Sequence, residues 1–353
     1  MDETTFKIVD GLSRSLGMQL SIRELTKQIS KIHGSAYYAN VYNRLRSLSE
    51  EGIVSLTKAG KSSLVSLNFG NYLILDLLAE MELTKKHELL KKREGLRPLL
   101  GGIEEACRNL YLISSVCLID PERNMSLNRA ELLVLFQKPI EESRNDAEAI
   151  RKTILNLQAM YNIRVDYLML DKGEFLQLLS SEEANPLTEM LANKLAFFSP
   201  QSFWALIRGA SEKGFRIKFA RESTDPARLS EQELACNLAR FGYKEFGAEA
   251  GQGKDVCIEY VVTSLLMRRN ARRSEAIPVI LVKNQPNYDL LIFLSQKYGT
   301  SGKLLGLLKA LDKVRSTKAV KRAIGTLEDM EVRAIRASQS SIKERMRLYN
   351  AVR

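Results

Sequence analysis

The stretch Asn40-Val41-Tyr42-Asn43-Arg44-Leu45-Arg46-Ser47-Leu48-Ser49-Glu50-Glu51-Gly52-Ile53-Val54 decides how the N-terminal part of the chain folds. Val41, Leu45 and Leu48 recur at four and three residues, the spacing of one buried helical stripe, and Gly52 supplies the stop. A helix is therefore predicted over Ala36 to Glu50. Upstream, His33-Gly34-Ser35 punctuates the pattern. Before it, Ser21-Ile22-Arg23-Glu24 has the form of a capping box, in which hydroxyl and carboxylate satisfy orphan backbone donors, and Ile22, Leu25 and Ile29 line one face of the helix that follows. Between Thr4 and Leu16, the positions Phe6, Ile8, Val9, Leu12 and Leu16 predict a first helix stopped by Gly17. Downstream, the β-type runs Ile53 to Thr57 and Ser63 to Phe69 are joined by Lys58-Ala59-Gly60-Lys61, a hairpin with a basic tip.

Three helices followed by a hairpin is the winged helix-turn-helix order, and the stretch Asn40 to Val54 resembles the recognition-helix signature of winged helix-turn-helix repressors over about the first 70 residues. With Val41, Leu45 and Leu48 turned inward, the outward set near the helix start is Ser35, Tyr37, Tyr38, Asn40, Asn43 and Arg44. Asn and Arg suit bidentate contacts to base edges, Tyr and Ser suit phosphates, and Lys58 and Lys61 on the wing suit the backbone or minor groove. Duplex DNA is the expected partner. The rival is a module used only for protein contact, with an ordinary solvated face. His33 reads as a turn residue.

Composition agrees with a multidomain globular protein. The 353 residues are 45% hydrophobic and 27% charged, and 20 Gly with 8 Pro are too few for a collagenous or low-complexity chain. The formal charge of +11 favours a polyanion. The strongest apolar runs, Leu132 to Phe136 and Ile277 to Val282, fall far short of the roughly 18 residues needed to span a membrane. The acidic start MDETTFKIVDG is unlike a signal peptide, so the expected setting is the cytoplasm without membrane contact. Cys107, Cys117, Cys236 and Cys257 are widely spaced with only His33 and His87 to help them, so buried free thiols are expected rather than zinc or disulfides.

From Asn71 to Arg93 an apolar start (Leu73, Ile74, Leu75, Leu77, Leu78, Met81) gives way to charge from Lys85, and Gly95 and Pro98 break the pattern. This connecting helix packs either on a symmetry mate, giving a homodimer that spans two half-sites, or on its own chain. Strands are predicted at Leu110 to Leu118, Glu131 to Phe136 and Ile163 to Leu170, with a helix at Ala147 to Met160; further helices are predicted at Lys172 to Leu179, Pro186 to Leu195 and from Ser199 onward.

Over about Asn109 to Arg208, with Val165-Asp166-Tyr167-Leu168-Met169-Leu170-Asp171-Lys172-Gly173-Glu174-Phe175, Asn185-Pro186-Leu187 and Phe203-Trp204, the chain resembles a minimal nucleotidyltransferase domain of archaea and bacteria. The resemblance implies a Gly-Ser phosphate turn, an Asp-x-Asp pair and a third Asp that together hold two metal ions and a nucleoside triphosphate. Ser114-Ser115 stand at the Gly-Ser position and Leu118-Ile119 at the Arg-Gly that commonly follows. The paired Asp positions carry Arg129 and Glu131, and only the third is kept, as Asp166. A cation at Arg129 opposes a divalent metal, so the domain reads as a degenerate enzyme with no cofactor and no metal. The alternative is an active nucleotidyltransferase, using Mg and a nucleoside triphosphate, targeted by its winged helix; an unrelated α/β domain is the bland reading.

After Gly209 the pattern is helical. Ser230-Glu231-Gln232-Glu233 caps a run through Leu238, Ile258 to Met267 is a second helix and Tyr288 to Tyr298 a third, with Gly247 to Gly253 as the main loop. Gly251-Gln252-Gly253-Lys254 lacks the strand and spacing of a phosphate loop. Arg268, Arg269, Arg272 and Arg273 can share a helical face suited to phosphate. Residues 312–353 hold eleven Lys and Arg against five Asp and Glu, more than half of the net charge, and read as a basic helical tail.

The fold expected is multidomain α+β: a winged helix at 1–70, connecting helices at 71–108, a nucleotidyltransferase-like sheet at 109–208, a helical domain at 209–311 and the tail at 312–353. The expected function is a DNA-binding transcription regulator with a degenerate nucleotidyltransferase-like body serving as scaffold, dimerisation surface or sensor. A third reading is an antitoxin-like protein with a small-protein partner.

Overall fold

The computed structural model describes all residues except 61, 123–127, 221–222, 245–252, 269–273 and 352–353. Among the described residues the fold is mixed α+β, with two small sheets and sixteen α-helices. The chain forms two compact units, Met1–Ser180 with Leu187–Ser223, and Ser181–Pro186 with Thr224–Arg353. No helix of the described residues is long and apolar enough to cross a membrane.

The first unit begins with α1 (Glu3–Ser13), capped by Asp2, whose carboxylate accepts from Thr5 N at 2.9 Å. The helix stops three residues before the predicted Leu16. The chain then turns through Gly17 (φ +76°), whose missing Cβ would lie 1.8 Å from Ile217 O. After β1 (Leu20–Ser21) comes α2 (Ile22–His33), opened by the capping box of Ser21 and Glu24 in the form the sequence predicts. Next is α3 (Tyr38–Glu50), two residues shorter at its start than predicted, then the hairpin β2 (Val54–Ala59) and β3 (Ser62–Leu67). β3 pairs antiparallel with both β1 and β2, giving the order β1-β3-β2. Ile8, Val9, Leu25, Ile29, Val41, Leu45, Leu48, Val54 and Val65 are buried together, so each apolar stripe read from the sequence faces inward.

The connecting helix α4 (Leu73–Lys92) is occupied within its own chain. It packs on α1 and on α9 (Pro200–Glu212), and its Glu82 is fully buried. Beyond it, α5 (Arg97–Arg108), with Pro98 in its first turn, packs on α6 (Arg144–Tyr161). The second sheet has the order β6-β5-β4-β7, where β4 is Ile113–Ile119, β5 Arg129–Phe136, β6 Arg164–Asp171 and β7 Lys194–Phe198. β5 and β6 run parallel, and β4 is antiparallel to both β5 and β7. α7 (Lys172–Ser180) and α8 (Pro186–Ala192) follow β6. Several boundaries differ from the sequence reading: β4 starts at Ile113 rather than Leu110, and the helix read from Ala147 starts at Arg144. β5 starts at Arg129 rather than Glu131, and the helix predicted to Leu195 ends at Ala192, because Lys194 to Phe198 pair along β4 as a strand.

The second unit is helical: α10 (Glu231–Arg240), with the predicted capping box of Ser230 and Glu233, α11 (Ile258–Met267), α12 (Ala276–Lys283), α13 (Tyr288–Lys297), α14 (Ser301–Asp312), α15 (Lys318–Asp329) and α16 (Gln339–Leu348). The basic tail is not a free arm. An extended stretch lies along α14, where Ile335 N donates to Gly302 O at 2.8 Å and a Cβ on Gly306 would sit 1.6 Å from Ile335 O. α16 buries Ile342 and Met346 against α12 and α14. Of the tail cations, Arg322 pairs with Asp289, Arg345 with Glu275, and Arg315 donates to Ala351 O at 2.9 Å. Cys107, Cys117 and Cys257 are buried and all four cysteines are free.

Candidate nucleic-acid interface and the carboxylate site of the central sheet

α3 turns one face to solvent along its whole length. Opposite the stripe of Val41, Leu45 and Leu48 stand Asn43 and Arg46, both exposed, and Ser35, Tyr37, Tyr38 and Asn40 are exposed at and before the helix start. Tyr37 is 73% exposed, and the rings of Tyr38 and Tyr42 stack 6.1 Å apart on the surface. Lys58 is exposed on β2; Lys61 lies outside the described residues.

Arg44 departs from the sequence expectation. Its Nε donates to Thr5 Oγ1 at 2.5 Å, and its other nitrogens lie 3.2 Å from Asp2 Oδ2 and 3.4 Å from Glu51 Oε1. At the edge of the buried stripe it ties α3 to the start of α1 instead of projecting outward. Arg46, three residues after Asn43, takes its place on the outer face and makes no ion pair among the described residues.

A second set of cations was overlooked in the sequence. Arg23, Lys27 and Lys31 lie at i, i+4 and i+8 on α2, all exposed, opposite Ile22, Leu25 and Ile29. Successive members rise about 6 Å along the helix, giving a row of positive charge on the element that leads into α3. The i, i+4 spacing of like charges was the available signal.

In the central sheet, Glu131 and Asp166 are direct partners across the parallel β5 and β6. Both are buried. Arg129 Nε donates to Asp166 Oδ2 at 2.5 Å, and its Nη2 lies 3.4 Å from Glu131 Oε1. Arg164 approaches the other oxygen, with Nε and Nη2 each 3.2 Å from Asp166 Oδ1. Two carboxylates and two guanidiniums thus form a charge-balanced cluster. The guanidinium of Arg129 takes the oxygens a divalent ion would need, so these side chains fit such an ion poorly. Among the described residues, no group of three or more His, Cys, Asp or Glu gathers as a metal site.

Ser114 and Ser115 do not join this cluster. Ser115 pairs with Leu135, four residues along β5 from Glu131, which places it about 13 Å away at the opposite end of the sheet. The hydroxyl of Ser115 donates to Phe198 O at 2.9 Å beside a bulge in β4, so it closes the sheet rather than cradling phosphate. The loop at the Glu131 end begins at Asp120, which has no glycine beside it and is bonded through its backbone N–H to Asn193 O at 2.8 Å.

A buried ionic chain joins α1, α2, α4 and β7 within the first unit. The Lys194 ammonium donates to Glu82 Oε1 at 2.7 Å and lies 4.2 Å from the Trp204 ring centroid. Lys85 lies 3.1 Å from Asp10 Oδ1 and donates to Lys194 O at 2.8 Å. Arg14 Nε and His33 Nε2 meet Asp10 Oδ2 at 2.9 and 3.1 Å, and Arg14 continues to Asn193 Oδ1 at 2.6 Å. Burial opposes ionisation of Asp10, but Lys85, His33 and Arg14 outweigh it and hold the carboxyl far below the usual range. Burial pulls the Lys194 ammonium below its usual value although Glu82 opposes the shift.

In the second unit, Arg268 bonds Glu231 and Leu229 O and is committed internally. Arg269, Arg272, Arg273, Arg353 and most of the loop 247–253 lie outside the described residues. Comparison of the chain with protein-family models, with curated proteins and with solved structures finds no match.

Proposed function

We propose that the protein binds duplex DNA as a transcription regulator, through a winged helix made of α1, β1, α2, α3, β2 and β3. The observation that carries this reading is the shared exposure of the α2 cations and the α3 polar face. Arg23, Lys27 and Lys31 are spaced to neutralise successive phosphates, while Asn40, Asn43 and Arg46 carry groups that bond base edges or backbone. Lys58 adds a cation from the hairpin. The remainder of the first unit is a nucleotidyltransferase-like body in which Arg129 has replaced a metal-binding carboxylate, and it serves as the scaffold to which the reading module is bolted through Asp10, Arg14, Lys85 and Glu82.

The reading is tested by equilibrium binding of the full chain to labelled duplex DNA at low salt. The native protein is expected to bind. The triple substitution Arg23→Gln, Lys27→Gln, Lys31→Gln should weaken every duplex alike, and Asn43→Ala should weaken a preferred sequence by about 1–3 kcal/mol while sparing others. Absence of duplex binding by a folded native protein would refute it.

A further inference from the structure

The deepest-reaching part of a recognition helix is its N-terminal half, and here that half is uncharged at its surface. Tyr37, Tyr38, Ala39, Asn40, Tyr42 and Asn43 are exposed. The single guanidinium of this half, Arg44, is held by Thr5, Asp2 and Glu51. Base chemistry then discriminates. Guanine offers O6 and N7, two acceptors best matched by Arg or Lys; adenine offers the N7 acceptor with the N6 donor, matched by an Asn amide; thymine adds a methyl group that takes apolar contact. In this half, two amides stand amid alanine and aromatic carbon while its one guanidinium is held by Thr5, Asp2 and Glu51, a surface that matches adenine and thymine.

We propose that α3 selects A·T base pairs, with the Asn43 amide on adenine N6 and N7, the apolar surface of Ala39 and Tyr42 against thymine methyl groups, and Arg44 withheld from the bases as a positioning residue. This rests on the duplex-DNA reading above. Asn43 is the better placed of the two amides because it stands opposite the buried stripe, whereas Asn40 lies toward its flank. Arg46 lies almost one turn further along α3, toward Glu50 and away from the inserted end, where a phosphate is its natural partner.

The experiment is selection of bound duplexes from a random library by the full native chain, followed by binding of the recovered duplex with 7-deazaadenine in place of adenine or deoxyuridine in place of thymidine. Both analogues alter the major groove alone, so a preference arising from minor-groove width or flexibility does not respond to them. The recovered core should be A·T, and each analogue should weaken binding by roughly 10-fold at a contacted position. Asn43→Ala should remove the response to 7-deazaadenine and weaken the recovered duplex more than an unselected one. Arg44→Gln, checked for folding by its thermal transition, should keep the A·T preference. A G·C core, or an A·T core indifferent to both analogues and to Asn43→Ala, would overturn the inference. Binding without any sequence enrichment would overturn it while leaving the duplex-DNA reading in place. No binding to any duplex would remove both.

Discussion

The Lys194 ammonium donates to Glu82 Oε1 at 2.7 Å with both side chains almost wholly withdrawn from water. Glu82 also accepts from Ala196 N at 3.1 Å, so one α4 carboxylate fixes both a cation and the backbone of β7. Each charge is tolerable only because the other is present. Lys194→Met should therefore cost about 3–5 kcal/mol in denaturant unfolding, and adding Glu82→Gln should restore part of it. A single variant as stable as the native chain would contradict the pairing.

Backbone contact sets the sign of glycine substitutions in the second unit. Alanine in an exposed helix interior stabilises by roughly 1 kcal/mol, and Gly325→Ala on α15, where nothing approaches within 4 Å, should do so. Gly306→Ala on α14 should instead destabilise, since its Cβ would meet Ile335 O at 1.6 Å. In the first unit Gly17→Ala should destabilise too, combining φ +76° with a 1.8 Å approach to Ile217 O. Thermal melts of the three variants check the order.

Stability on the falling and on the rising side of the carboxylate range should respond to different carboxyls. The folded-state value of Asp10 is lowered by its cationic neighbours against the effect of burial, so its contribution is present above the usual carboxylate range and fades as pH falls below about 4. Glu259 is pushed upward by burial, against a 2.7 Å hydrogen bond from Asn287 N. Its contribution is present at acid pH and is lost as pH rises above about 4. Melting across a pH series should show Asp10→Asn flattening the acid limb and Glu259→Gln flattening the loss on the rising side. Unchanged profiles would show that neither group governs them.

Much of this was legible in the sequence, and the failures have a common cause. The capping boxes at Ser21 and Ser230 and the stripe of Ile22, Leu25 and Ile29 are set by neighbours within a few residues, and they appear as read. The first two residues of β7, Lys194 and Leu195, were read as the end of a helix because the strand form comes from pairing with β4, nearly eighty residues earlier in the chain. Arg44 looked outward because its partners Thr5 and Asp2 belong to another helix. The burial of Glu82 has no local signal, because the Lys194 that accompanies it lies far along the chain. At the sheet, the grouping of positions 129, 131 and 166 was implied by the resemblance to a nucleotidyltransferase, while Ser114 and Ser115 lie at the other end because the antiparallel register of β4 leaves no local signal.

Arg129 should also decide the chemistry of the central sheet. Incubation with labelled nucleoside triphosphates, Mg²⁺ or Mn²⁺ and RNA, DNA or protein acceptors should give no incorporation, since two-metal transfer needs carboxylate oxygens that Arg129 and Arg164 occupy. Transfer by the native chain that is abolished in Glu131→Ala or Asp166→Ala would make the protein an enzyme.

The most direct test of the central claim is the salt dependence of the duplex-DNA dissociation constant. With Arg23, Lys27, Lys31 and the other exposed cations of the module on phosphates, log affinity should fall linearly with log salt, by about 0.9 per phosphate neutralised. Replacing the three α2 cations by Gln should flatten that slope by close to 3 on the same scale. An affinity indifferent to salt, or a slope unchanged in the triple variant, would contradict the account.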